Sequence, residues 1–343
     1  MRKDNTHTPI FTSLTRISDL REKEFEVLAL DRDKWATGDY VIGKILEPGS
    51  TSLLLELPSG RMRGVIGGEY VVGAFGERFA TLEITGTWKK IEEDLTFHLL
   101  TGAGLFGKMT SKSFFLPQMM KLKYAGHVAR HGVKITMDSF VKPVKIIPFK
   151  TPVVLFIGTS MSAGKTTSAR IVANLFKTAG YKVVGGKLTG AGRYKDILAI
   201  KDVGAMAIFD FVDVGLPSSI CEKELYKSKL VQLTSLIEQQ KADIAIIEIG
   251  ASPLESYNGD VAIHAIREQV KCSILSATDP YAVFGLMKAF DFSPDIVTGI
   301  AANTLAGTSM VESLCKVKAL NLIDATTTEE LKEILTSKTG LKL

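Results

Sequence analysis

The sequence predicts an α/β protein: a parallel sheet with helices on both faces over residues 151–343, preceded by a β-rich, barrel-like unit. Three observations carry this. From Pro152 onward, apolar runs such as VVLFIG and DIAIIEIGA alternate with amphipathic helical stretches, the pattern of strands buried on both faces. Between Phe25 and Thr85 the apolar runs are short and broken by Gly, Pro and Asp, as in an all-β unit. At 343 residues, with 45% hydrophobic and 23% charged, the chain is long enough for two or three domains and a sizeable core.

Residues 1–100 form the β-rich region in this reading. FEVLAL, DYVIGKILE, TSLLLELP, RMRGVIG, EYVVGAF and FATLEIT each fit a strand. GDYVIGK (38–44) and GEYVVGA (68–74) echo one another thirty residues apart, which suggests two similar hairpin entries in one barrel. Similar strand starts occur in oligonucleotide-binding barrels. This unit is net acidic and lacks a basic-aromatic strand, so nucleic acid is disfavoured as a partner.

Residues 101–150 read as a basic connecting segment. Residues 1–108 carry 14 Lys/Arg against 16 Asp/Glu, residues 109–150 carry 8 against 1, and residues 151–343 carry 20 against 20. The net charge of +5 is therefore concentrated in the middle, either as a solvated face or as a surface for an anionic ligand. WKKIEEDLTFHLL, just upstream, fits a helix. Gly102–Lys108 matches glycine, four residues, glycine and lysine, but Met109 follows and Phe106 is bulky for a phosphate loop. It reads as a look-alike of the nucleotide site, with a substrate-covering loop as the alternative. His127 and His131 are spaced for one helical face, and with no acidic ligand nearby they read as surface residues.

The region 151–343 contains the chemistry. VVLFIG predicts a strand, TTSARIVANLFKTAG a helix, and the residues between them a loop ending in Gly164-Lys165-Thr166-Thr167. Strand, loop and helix in that order are the context a phosphate-binding loop requires. The first glycine, Gly158, stands one position earlier than the usual spacing, where Thr159 sits. Gly164 allows close backbone approach, Lys165 reaches the β- and γ-phosphates, and Thr166 offers a hydroxyl to Mg²⁺. Ser162, Ala163 and Thr167 complete the loop lining. Asp210 and Asp213, after a strand-like run, are candidates to hold Mg²⁺ or orient a nucleophile, and Arg193 is a candidate anion clamp at a strand end.

The extra residue makes the loop similar to that of dethiobiotin synthetase and its relatives, G-T-x-x-x-x-G-K-T, matched by Gly158, Thr159, Gly164, Lys165 and Thr166. The resemblance continues in order over about 151–325. KVVGGKLTG (182–190) resembles the family's second strand, which implies Lys187 near the reacting groups and Thr189 beside the acceptor. DIAIIEIGA (243–251) resembles the strand ending in Glu-Gly-Ala, which implies Glu248 as the acidic Mg²⁺ partner. GIAAN (299–303) resembles a strand end whose asparagine reads adenine, which implies Asn303. Ile249 replaces the family's glycine, SPLESYNGD (252–260) replaces its usual continuation, and the β-rich half has no counterpart. The loop is also similar to that of a poorly characterised P-loop family that includes amino-acid N-acyltransferases. Plasmid-partition ATPases place a lysine early in this loop, and here Thr159, Ser160 and Met161 stand there.

The expected activity is an Mg-ATP-dependent kinase or ligase that transfers a phosphoryl group to a small anionic substrate, or ligates it through an acyl phosphate. The catalytic set is Lys165, Lys187 and Glu248, and the cofactors are ATP and Mg²⁺. The alternatives are a switch or assembly ATPase with the β-rich unit as partner-binding module, and an N-acyltransferase using acetyl-CoA. No apolar run spans a bilayer, the N-terminus lacks a secretory core, and Cys221, Cys272 and Cys315 are scattered. A cytoplasmic protein without a membrane partner is expected from these features, and a homodimer from the resemblance.

Overall fold

The computed structural model describes residues 8–50 and 52–343. Thr51, at the start of the expected strand TSLLLELP, and the first seven residues, part of the stretch read against a secretory signal, lie outside them. The chain divides into two compact units. The first takes residues up to Pro143 together with 191–195 and 211–220, and the second takes the rest.

In the first unit, strands Tyr70–Phe75, Tyr40–Glu47, Lys121–Arg130, Thr96–Thr101 and Leu105–Lys112 pair in that order. The last then pairs in parallel with the first, Leu105 facing Ala74 and Phe106 facing Phe75, which closes a five-strand ring. Closure satisfies the edge groups that an open sheet would leave exposed. The two echoing segments pair with each other. Ile42 faces Val72, its own counterpart in the echo, so the copies run antiparallel about a local two-fold axis. Trp35, Phe75, Phe97, Phe106 and Tyr124 fill the interior, with the Trp35 and Phe75 ring centroids 4.9 Å apart. Residues 191–195 and 211–220 cluster here through specific bonds. The buried Glu56 carboxylate accepts the Tyr194 and Lys195 N–H groups at 2.8 and 2.6 Å, and Arg16 pairs with Asp213 at 3.1 Å.

Three expectations are corrected in this unit. The stretch WKKIEEDLTFHLL makes one 3-10 turn, Trp88–Lys90, and then a strand from Thr96. Asp94 accepts both the Thr96 N–H and hydroxyl, and Leu95 adopts a φ of 54°, a backbone that no helix continues through. Residues 101–143 are not a connector: they supply Leu105–Lys112 and Lys121–Arg130, two strands of the ring. Basic and apolar residues alternate there, with Lys123 exposed and Leu122 buried, so the positive charge stands on the outer face of a strand. His127 lies on that strand, wholly buried, with Nε2 at 3.1 Å from Asp39 Oδ2, and is not a surface residue.

The second unit holds seven strands: β1 (Val153–Gly158), β2 (Val183–Thr189), β3 (Ala207–Asp210), β4 (Ile244–Ile249), β5 (Val270–Ser276), β6 (Ile296–Thr298) and β7 (Lys318–Ala319). Their spatial order is β3-β2-β4-β1-β5-β6-β7 and every pairing is parallel. β1 and β4 are buried along their whole length, which is why their sequences run apolar without alternation. The helices are α1 (Lys165–Thr178), α2 (Tyr194–Asp202), α3 (Lys223–Glu238), α4 (Gly259–Ile266), α5 (Pro280–Phe290), α6 (Leu305–Cys315) and α7 (Thr328–Thr339). The chain moves one way along the sheet from β1 to β3 and the other way from β3 to β7. Right-handed crossovers therefore put α1 and α2 on one face and α3 to α6 on the other. The strand order reverses next to β1, where open α/β sheets bind ligands at strand carboxyl ends.

Candidate nucleotide-binding site

The loop after β1 is shaped around one lysine. Lys165, the first residue of α1, is fully buried and folds back over the loop, donating to the Ser160 carbonyl at 2.6 Å and the Met161 carbonyl at 3.3 Å. Its aliphatic stem and Nζ lie against Gly158, where a Cβ would stand 2.8 Å away. That contact explains a glycine at the end of the strand. Gly164 holds a φ of 106° and starts α1 with no side-chain cap, so the first N–H groups of the helix carry its positive dipole end into the loop. Burial pushes the Lys165 ammonium below its ordinary pKa, against the pull of Glu248. An anion supplied to this loop would restore the charge, which is the electrostatic requirement of a phosphate site.

Neighbouring strands add the rest. β4 lies directly beside β1, and Glu248 pairs in register with Phe156. There its carboxylate accepts the Thr166 hydroxyl at 2.9 Å. A hydroxyl and a carboxylate are hard oxygen donors. They suit Mg²⁺, which takes one or two protein ligands and completes its shell with phosphate oxygens and water. On the other side of Glu248, β2 places Lys187 in register with it, and β3 places Asp210 in register with Lys187. Lys187 is buried and donates to Asp196 Oδ2 at 2.5 Å. Burial works against its charge, but Asp196 and Glu248 outweigh burial and raise its pKa.

The structure brings together Gly158, Thr159, Ala163, Gly164, Lys165, Thr166, Lys187 and Glu248. Thr159 is fixed to the end of β5, donating its N–H to the Ser276 carbonyl at 3.1 Å and accepting from Thr278 N at 3.3 Å. Ser162 and Thr167 are exposed at the rim. Asn303 ends the turn Ile300–Ala302, also exposed. That turn begins at Gly299, where a Cβ would stand 2.4 Å from the Ala163 carbonyl, so the turn packs on the loop after β1.

Other expected site residues fall elsewhere. Asp210 is two strands from Glu248 with Lys187 between them, and does not join the Thr166–Glu248 pair as a metal ligand. No group of three or more His, Cys, Asp or Glu suited to a metal exists among the described residues. Asp213 belongs to the first unit, where it pairs with Arg16. Thr189 is wholly buried and accepts the Gly250 N–H at 3.2 Å, which fixes the loop after β4. Arg193 is exposed on a segment that clusters with the first unit. The sequence reading missed Asp196, nine residues after Lys187, because helical spacing from a strand end cannot show that a side chain turns back to it. Gly102–Lys108 is a hairpin turn of the barrel, with Phe106 in its core.

A parallel sheet that delivers such a loop beside an acidic strand end is the architecture of P-loop NTPases, and the second unit has that fold. No protein-family model matches the chain, and no curated protein sequence matches it. Among solved structures, chloroplast FtsY from Physcomitrella patens is 15% identical with a TM-score of 0.37, over 52% of this chain and 59% of that one. HypB from Helicobacter pylori, solved in complex with nickel, is 19% identical with a TM-score of 0.36, over 56% of this chain and 90% of that one. A DUF1611 family protein from Anabaena variabilis is 11% identical with a TM-score of 0.38, over 61% of this chain and 66% of that one. The chain thus spans about three-fifths of the FtsY length it matches. These likenesses are remote, and the class rests on the sheet order and the loop geometry.

Proposed function

We propose that the second unit binds Mg-ATP and transfers its γ-phosphoryl group to a small acidic metabolite. The observation that carries this reading is the row Lys165, Thr166–Glu248 and Lys187 along adjacent strand ends β1, β4 and β2. The resemblance to dethiobiotin synthetases supports the same roles. Thr166 and Glu248 would hold the metal ion, which when bound neutralises charge on the β- and γ-oxygens. Lys165 would leave the Ser160 carbonyl for those phosphates. Lys187, two strands from the loop, would hold the acceptor carboxylate or the transferring group. An acceptor oxygen attacks the γ-phosphorus as the bond to the β–γ bridging oxygen breaks. A carboxylate gives an acyl phosphate and ADP, with no proton to remove. Catalysis is then positioning and charge stabilisation. Asn303, at the turn packed on the loop, is assigned to the base.

The test is ADP release from Mg-ATP by the full chain, alone and with a panel of small carboxylic and phosphorylated acids, beside Lys165→Ala. Silence until one acid starts Lys165-dependent turnover supports the reading. A steady Lys165-dependent rate without acceptor, raised by no acid, refutes it in favour of a switch or assembly ATPase. Competition between ATP and acetyl-CoA for the loop would favour acyl transfer instead.

A further inference from the structure

We propose that the first unit carries a peripheral membrane-docking tip, built on Phe114 and Phe115, that inserts into anionic bilayers. These adjacent side chains are 93% and 94% exposed, in the connection between strands Leu105–Lys112 and Lys121–Arg130. Their rings sit edge to face with centroids 6.3 Å apart. A second connection meets them. Lys112 pairs with Ile84, and Ser113 donates its N–H to the Glu83 carbonyl at 2.6 Å. Leu82, 60% exposed, and Phe79, 51% exposed, therefore stand at the same end of the barrel.

The knob is anchored rather than trailing. Leu116 N–H returns to the Ser113 carbonyl at 3.1 Å, Lys112 Nζ reaches the Leu116 carbonyl at 2.8 Å, and Ser50 N–H holds the Gln118 carbonyl at 3.0 Å. Met119 and Met120, the next residues, are buried. The aromatic rings are thus exposed to solvent from a hydrogen-bonded base, with apolar neighbours.

Charge selects the occupant. From Leu95 to Met137 the chain has six Lys or Arg and no Asp or Glu; Lys108, Arg130 and Lys134 pair with acids from other segments, and Lys112, Lys121 and Lys123 flank the tip. Of the acids brought near by other strands, Glu83 pairs with Arg78, and Glu47 lies 3.9 Å from Lys121 with both groups open to solvent. Protein interfaces are enriched in aromatic residues, Phe included, but are depleted in lysine, so the flanking lysines are what separates the two kinds of occupant. Phenylalanine with flanking lysine is the composition that suits a headgroup boundary, apolar rings entering and ammonium groups meeting acidic lipid. No described helix is long and apolar enough to cross a membrane, so the contact would be one of lying on the surface.

The experiment is co-sedimentation of the full chain with vesicles of phosphatidylcholine alone and of phosphatidylcholine with phosphatidylserine, at low and physiological salt. Binding to the serine-containing vesicles only, weakened by salt, is expected. Phe114→Ser with Phe115→Ser should lower partitioning about tenfold, while circular dichroism and the urea unfolding midpoint stay unchanged and report an intact fold. Lys121→Gln with Lys123→Gln should lower it by a smaller factor and flatten the salt dependence. Absence of sedimentation at low salt overturns the proposal. So does binding that survives both Phe substitutions, or a wild-type dimer that the Phe variant turns into monomer, which would assign the tip to self-association.

Discussion

Two stretches of this chain fit nearly the same phosphate-loop pattern, and they fold into unrelated objects. Gly158–Lys165 joins a buried parallel strand to a helix, and its lysine is enclosed by the loop it closes. Gly102–Lys108 turns one antiparallel strand into the next, and its lysine lies along a strand, 3.1 Å from the Thr96 hydroxyl and 3.6 Å from Asp94. Phe106 fills the barrel core where a phosphate loop would need open backbone. A phosphate loop is therefore defined by the helix that follows it: only there do consecutive N–H groups converge on one point.

The sharpest test of that contrast is substitution of the two lysines. Lys165→Ala should lower nucleotide affinity about 100-fold, from the loss of charge-assisted bonds to phosphate. Lys108→Ala should leave affinity unchanged and stability within about 0.5 kcal/mol. Isothermal titration of the pair checks both, and equal losses would erase the distinction. Next in size is Asp196→Asn, which leaves the buried Lys187 ammonium to Glu248 and Asp210. A loss of about 2 kcal/mol in urea unfolding is expected. Because the Lys187 pKa is raised, its stabilisation is full below the unfolded value and fades only as pH climbs through the folded one. The cost of Asp196→Asn should accordingly be flat from neutral pH to about pH 9.

Thr166→Ala and Glu248→Gln should each weaken the magnesium dependence of nucleotide binding about tenfold, with little change in magnesium-free binding. A smaller effect concerns how β1 is fed. Glu238 accepts the N–H groups of Lys150 and Thr151 and the Thr151 hydroxyl at 2.8 to 2.9 Å. Burial opposes its charge, but these bonds outweigh it and hold its pKa below the ordinary 4.5. Its contribution, about 1 kcal/mol, is present above that value and lost as pH falls through the lowered folded pKa. Glu238→Gln should thus converge with wild type in acid denaturation. The smallest expected signal is from the thiols. Burial lifts Cys221 to about 11 and Cys272 to about 12, so neither should react with a thiolate-selective reagent at neutral pH in the native chain.

Much of the second unit was legible because its signals are local. The apolar runs that became β1 and β4 and the loop from Gly158 to Thr166 lie within a few residues of what they specify. In the first unit the echo of GDYVIGK in GEYVVGA pointed to two similar hairpin entries in one barrel; that the copies pair with each other depends on the closed sheet and not on either segment. In the segment from Lys121 the net charge and the strand alternation are superimposed: KLKY puts apolar residues inward and lysines outward, so a basic run is also a barrel strand. The exposure of Phe114 and Phe115 could not be read from FFLP, since a pair of phenylalanines is more often core than surface.

The sequence by itself determined the phosphate loop, because a strand, a glycine-bounded turn and a helix start are consecutive in the chain and need no distant partner. It also determined that Glu248 and Lys187 end apolar strands. Tertiary structure alone decided that β4 lies between β1 and β2, and so that Glu248 meets Thr166 on one side and Lys187 on the other. It alone turned Asp196 back onto Lys187 and separated Asp210 from the Thr166–Glu248 pair. Strand order depends on crossovers and packing summed over the whole sheet, and no short window of sequence contains that sum.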